Sequence, residues 1–327
     1  MVTRRRVVIA LGAGAIAPLA PLAAFAQQQR VYRVGVLAGG TSETSRRSVD
    51  AVVDGLRNFG YVEGKNVSIE KRFADGHLDR LPALAADLVQ QKVDVIVALG
   101  GAHARAAKQA TATVPIVFAS LSDPIGQGLT ASFARPGGNI TGISTMGADV
   151  SAKRLQLLKE AFPKISRVAV FVAPDSAAGQ ITEVQRGAKV LGIEVLLSEL
   201  QRLEEFEQRS AQLRKWRADS MLVLESNRNF FNRKLLVELA AKMRLPALFG
   251  SKQYADAGGL MSYGANYEAQ YRYAATFVSK ILKGAKPADL PVEQATEFEL
   301  AINMKTAKTL GFKFPNSILA QVTKVIG

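Results

Sequence analysis

The chain contains no cysteine at all, only two histidines and a single tryptophan. Without cysteine there is no disulfide, no thiolate metal site and no lipid anchor built on a leader cysteine. His77 and His103 lie in separate predicted segments, so two imidazoles do not make a zinc site. His103, near a predicted helix start, could cap that helix or meet a ligand, but reads first as an ordinary surface histidine. A G-x-S-x-G elbow, a P-loop and an H-E-x-x-H helix are all missing. No catalytic residue, metal or cofactor is therefore assigned.

Acid is also scarce. Lys and Arg number 42 against 28 Asp and Glu, a formal charge of +14. Past residue 26 the basic residues are scattered, the longest clusters being pairs such as Arg46-Arg47 and Lys153-Arg154, with no aromatic platform beside them. That distribution does not suit nucleic acid. Two G-x-G-x-x-A strings occur. The one at Gly12 falls in the leader described next. The one at Gly126 stands six residues past its strand, too far to form a pyrophosphate-binding turn.

What the sequence does contain begins at its N-terminus. Arg4, Arg5 and Arg6 precede a stretch, Val7 to Ala26, without one charged side chain, ending in Ala24-Phe25-Ala26 before Gln27. This is the layout of a secretory signal peptide cleaved near Ala26, and Thr3-Arg4-Arg5-Arg6 also fits a twin-arginine signal loosely. Gly12, Gly14, Pro18 and Pro21 interrupt the run as a membrane span. The expected location is the periplasm.

From Val31 onward short apolar runs alternate with amphipathic stretches. Strands are predicted at Val31–Leu37, Val67–Phe73, Val93–Leu99 and Pro115–Ala119, with helices at Ser45–Phe59, Asp79–Gln91 and Ala102–Ala110. Continuous apolar strands between helices imply a parallel sheet covered on both faces. The rhythm then repeats. Val93–Val97, a helix and Val114–Phe118 are echoed by Ala218–Val223, a helix and Leu245–Phe249. The expected fold is α/β, two similar Rossmann-like lobes with parallel sheets joined by a multi-strand hinge. Residues 31–145 plus 260–293 are expected to form lobe I and 146–259 lobe II. Residues 294–327 are expected as an αβ tail crossing back towards lobe II. The turn-rich Arg135–Gly142 and Asp256–Gly259 mark the crossings.

Small polar clusters follow nearly every strand, where open parallel sheets bind ligands. They supply the candidate contacts Gly40, Thr41, Ser42, Gly101, Ala102, Ser120, Asp123, Ser144, Asp175, Glu225, Asn227 and Ser251. Ser42, Ser122, Asp175 and Asn227 also read individually as plain helix caps. As a set, they line one rim per lobe. Asp123, Asp175 and Glu225 are acids, whereas the rims at 39–42 and 100–102 carry none. A zwitterion fits that asymmetry, its carboxylate on the amides of one lobe and its ammonium on an acid of the other.

Long blocks carry a resemblance. They are Gly55–Asn66, Asp79–Ala86, Ala134–Gly142, Ala257–Gly264 and Ile281–Val292. Through them the chain resembles the ABC transporter substrate-binding protein family that includes tryptophan- and other aromatic amino-acid-binding members. The resemblance implies a type I periplasmic-binding-protein fold with three hinge crossings and a ligand sealed between lobes. It also implies a permease and an ATPase subunit as partners, no nucleic acid, and a monomer. Two rim loops depart from the family pattern. Gly100-Gly101-Ala102-His103 stands where Gly-Thr-Pro is usual, and Glu225-Ser226-Asn227 where an aspartate and proline are usual. An effector-sensing domain of a transcription regulator shares the fold but would need a helix-turn-helix where the leader stands. A Rossmann-type NAD-dependent enzyme would need a glycine fingerprint that Leu37-Ala38-Gly39-Gly40 does not supply.

Overall fold

Strands with apolar residues at every position need cover on both faces, and that requirement organises the molecule. The computed structural model describes residues 30–200 and 202–327. The leader read over residues 1–26 lies outside them. The chain opens with β1 (Tyr32–Ala38), α1 (Arg46–Asn58), β2 (Val67–Phe73), α2 (Leu81–Gln90), β3 (Val95–Ala98), α3 (Gly101–Ala110), β4 (Ile116–Leu121) and β5 (Ile140–Ser144). It continues with α4 (Gly147–Ala161), β6 (Arg167–Phe171), α5 (Ala178–Leu191), β7 (Glu194–Ser198), α6 (Phe206–Trp216), β8 (Ser220–Val223), α7 (Asn227–Phe231) and α8 (Arg233–Lys242). Then come β9 (Ala247–Phe249), α9 (Lys252–Asp256), β10 (Met261–Ala265), α10 (Tyr267–Leu282) and β11 (Glu293–Gln294). The chain ends in β12 (Phe298–Asn303), α11 (Met304–Leu310), α12 (Asn316–Leu319) and β13 (Lys324–Ile326).

These strands form two sheets, one in each lobe. The first has the order β11-β5-β4-β3-β1-β2 and the second β13-β12-β10-β9-β8-β6-β7. Every pairing is parallel except β10 with β12. Period-2 alternation splits each strand between two cores. Val95 and Val97 of β3 join Val52 and Leu56 of α1 and Val278 of α10. Ile96 and Ala98 of the same strand join Leu88 of α2 and Ala107 of α3 on the opposite face. In the second sheet Val168 and Val170 face the Leu155 and Leu158 side chains of α4, while Ala169 and Phe171 face Leu213 of α6 and Leu239 of α8.

Three assignments change. The segment Leu260–Tyr263, expected with lobe I, belongs to the second lobe: β10 pairs with β9 and β12 there. The return to lobe I comes one element later, at Asn266. Its side chain accepts from Ala269 N at 2.9 Å and starts α10, which packs on the first sheet. Second, Ile140–Ser144 is a strand and not only a turn-rich approach. It was hidden by the dense turn formers before it and by Gly142 and Thr141 within it. Third, α7 and α9 replace what read as loops. The chain therefore passes between the sheets three times, after Ser144, after Ala265 and after Gln294.

Candidate functional site

Because parallel strands all end at the same edge of a sheet, the loops after β1, β3 and β4 share one rim of the first lobe, and those after β6 and β8 one rim of the second. A cleft of about 920 Å³ lies between the rims. Of the candidate contacts, Gly40, Thr41, Gly101, Ala102, Ser120, Asp175, Glu225 and Asn227 line it. The other four do not. Ser42 is exposed, in the Thr41–Thr44 turn held by Thr44 N donating to Thr41 Oγ1. Asp123 is taken by its own loop, accepting from Gly126 N at 2.7 Å. Ser144 is buried and accepts from Met146 N. Ser251 is buried at the start of α9.

The three acids have different roles. Glu225 is committed to the protein. One carboxylate oxygen pairs with Arg154, and the other accepts from Thr145 Oγ1 at 3.0 Å. Arg154 is wholly buried on α4 and also donates to the carbonyls of Tyr263 and Gly250. Gln180 brackets the Glu225 backbone, its Nε2 donating to the carbonyl and its Oε1 accepting from the amide. Thr145 directly follows β5 of the first sheet, so this buried network spans the hinge. Glu225 is thus already paired within the protein where it borders the cleft. Asp175 differs. Its Oδ2 accepts from the Asn227 and Arg228 amides at 2.9 and 3.3 Å, capping α7 from outside. Its Oδ1 is inaccessible to water and has no hydrogen-bond partner among the described residues. The cap on α7 itself is Ser226, which accepts from Asn229 N, and not Asn227.

Sequence reasoning missed the aromatic and imidazole lining. Phe230, Phe231, Tyr267 and Tyr271 all line the cleft. Phe230 stands edge-on to Phe231 at 5.9 Å and tilted to Tyr267 at 6.5 Å. Their signal was present in the Phe230-Phe231 pair, one helical turn after the Ser226 cap. Burial pushes the Tyr267 phenol well above its usual pKa, with Glu225 adding to the rise. His103 is a correction: it is 2% exposed and lines the cleft. Neither ring nitrogen has a hydrogen-bond partner among the described residues. Burial lowers its pKa to about 4, opposed by the Gly100 backbone.

The lobes touch across this cleft at two glycines. A side chain on Gly39 would strike the Phe231 ring tip and stand 2.7 Å from His103 Nε2. One on Gly100 would stand 2.6 Å from Asn227 Oδ1. Only a bare backbone lets lobe II approach so closely. The rims meet around a half-open space lined by glycine backbone, aromatic rings and side chains of both charges. That lining suits binding a small molecule. No group of acids and histidines among the described residues could hold a metal ion, and no described helix is long and apolar enough to cross a membrane.

Comparison with known proteins agrees with this geometry. The chain is 27% identical over 261 residues to a tyrosine-binding protein of Clostridioides difficile, covering 79% of this chain and 74% of that one. It superposes with a TM-score of 0.84 on a conserved domain protein of Vibrio cholerae, at 26% identity over 90% of this chain and all of that one. It superposes at 0.82 on an ABC domain from Streptococcus pneumoniae in complex with L-Trp, at 24% identity over 90% of this chain and all of that one. These neighbours share the type I periplasmic-binding-protein fold, two α/β lobes with mostly parallel sheets. Residues 33–326 match the family described as ABC transporter substrate binding protein, and the chain belongs to that family, whose members bind a small-molecule ligand and work with an ABC permease.

Proposed function

We propose that the protein captures a free aromatic α-amino acid between its lobes and hands it to the permease of an importer energised by an ATPase subunit. The observation that carries this reading is the aromatic wall of Phe230, Phe231, Tyr267 and Tyr271 in a cleft whose second rim also carries the Asp175 and Glu225 carboxylates. That acidic rim is where the ligand ammonium would sit. Across the cleft, Gly101 and Ala102 open the ten-residue α3 with free amides and no acid, a place for the ligand carboxylate. Phe230, Phe231 and Tyr267 offer faces to an aromatic side chain. The tyrosine and L-Trp named for the two relatives support the same class.

The contacts between Gly39 and Phe231, and between Gly100 and Asn227, belong to a closed state. Ligand contacts to both rims would shift the population towards it. The family is typically extracytoplasmic. With the leader over residues 1–26 removed near Ala26, the mature chain works in the periplasm, as a monomer and without a catalytic step.

A thermal-shift screen of the purified mature protein against the proteinogenic amino acids tests the proposal. A true ligand at 100 times its Kd stabilises the folded state by about 2.7 kcal/mol. Shifts confined to aromatic amino acids are expected. A flat response to all of them would refute the reading.

A further inference from the structure

We infer that Arg233 holds the ligand's carboxylate, so that the cleft selects free aromatic amino acids over their carboxamides. The inference rests on the aromatic amino-acid reading above and adds the residue of lobe II that reads the anionic end of the ligand.

Several charged side chains in the cleft lining are already committed within the protein. Lys252 pairs with Asp256 at 2.7 Å and Arg272 with Glu268 at 3.2 Å, while Glu225 pairs with Arg154. Arg233 also lines the cleft, half-buried at the first residue of α8, and has no acid partner among the described residues. Two contacts fix its guanidinium. It lies 4.9 Å over the Phe230 ring, and its Nη1 donates to the Phe230 carbonyl at 3.0 Å. The Nε and Nη2 groups make no hydrogen bond among the described residues, and neither is closed off from water. Those two nitrogens form the side-on edge of the guanidinium fork, which matches both oxygens of a carboxylate. The fork is therefore held against the aromatic wall with its carboxylate-binding edge open.

The charges around it suit an amino acid. Burial raises the pKa of the Tyr254 phenol; Arg233 opposes the rise, and Glu225 and Asp175 add to it. The guanidinium and the acidic rim thus act on one point of lobe II. The carboxylate and ammonium of an α-amino acid share one carbon, so an open cation beside an acidic rim fits that end of the ligand. On closure the carboxylate is shared between Arg233 and the Gly101 and Ala102 amides, which ties lobe II to lobe I.

Isothermal titration of the mature protein with L-Phe, L-Tyr, L-Trp and their three carboxamides, repeated with Arg233→Met and Arg233→Lys, tests the assignment. The wild type is expected to bind each acid at least about tenfold more tightly than its amide, since the amide forfeits a charge-assisted hydrogen bond. Arg233→Met should cut that ratio at least about fivefold, weakening the acids and sparing the amides, with the α3 amides accounting for the remainder. Arg233→Lys keeps the charge without the fork and should fall between. A role confined to holding Phe230 would weaken acid and amide alike and leave the ratio unchanged. If Arg233→Met does not fold, Arg233→Lys carries the test, because its ratio must still fall. An unchanged ratio in the variants, or equal wild-type affinity for acid and amide, overturns the role of Arg233 alone. Failure of all three acids to bind refutes the aromatic amino-acid reading and the assignment with it.

Discussion

Replacing Arg154 by Met removes the guanidinium from the hinge network while keeping most of the side chain's bulk. Arg154 is fully buried and Glu225 is 8% exposed, so water cannot take over the lost contacts. The substitution strips one Glu225 oxygen of its donor, leaving Thr145 on the other. It also strips the Tyr263 and Gly250 carbonyls of theirs. Breaking a buried pair by removing one partner costs about 3–5 kcal/mol, because the surviving charge stays buried. That is a large share of the roughly 5–15 kcal/mol that holds a domain folded. At a few degrees per kcal/mol, Tm should fall by on the order of 10 °C. Glu225→Gln alone should also destabilise, leaving Arg154 charged between two carbonyls. The double variant Arg154→Met/Glu225→Gln buries no charge, so its loss should fall short of the summed single losses by about 0.5–3 kcal/mol. Differential scanning calorimetry of the four proteins measures this. A single-variant loss below about 1 kcal/mol, or strict additivity, would refute the claim that the pair anchors the hinge.

Asp175→Asn should weaken binding of an unmodified aromatic amino acid about tenfold to a hundredfold, the worth of a charge-assisted hydrogen bond of about 1.5–3 kcal/mol. It should leave binding of the N-acetylated amino acid unchanged, and titration of both ligands checks this; equal losses for both would count against an ammonium at Asp175. Gly39→Ala should hinder closure, since its methyl strikes the Phe231 ring of the other lobe, and should also lower ligand-free Tm by a few degrees, since it presses on the buried His103 of its own lobe. Small-angle scattering with saturating ligand should then show a larger radius of gyration than for the wild type, and an identical radius would dismiss the steric argument. His103 has a pKa lowered from 6.5 to about 4. Below 6.5 the unfolded chain takes up a proton that the folded chain refuses until about 4, so stability is full above 6.5 and falls as pH drops towards 4. The loss is about 3 kcal/mol across that window. Denaturation from pH 7 to 4 should show a shallower fall for His103→Gln than for the wild type, and parallel curves would contradict it.

The fold was readable because it is written in periodicities. Val95–Ala98 must be buried on both faces, so an all-apolar strand between amphipathic helices leaves a covered parallel sheet as the economical solution. The lobe boundary was not readable at β10. Its sequence, Met261–Ala265, suits either sheet, and only its pairing with β9 and β12 decides. The helix α7 was missed for a related reason. At five residues it is too short to show a period, and it is held by Ser226 and by the distant Asp175.

The site divides along the same line between backbone and side-chain information. The rim glycines and small polar residues follow from strand ends, and eight of the twelve candidates do line the cleft. What each side chain does there depends on partners far away in sequence. Glu225 and Asp175 look alike as acids on one rim. Yet the first is consumed by Arg154, 71 residues earlier, while the second keeps an unused oxygen. His103 reads as a helix-start histidine until Gly39, Gly100 and lobe II enclose it. The rims of the clamp are thus encoded locally, at strand ends, whereas which polar side chain is committed within the protein is decided by contacts that only the folded chain makes.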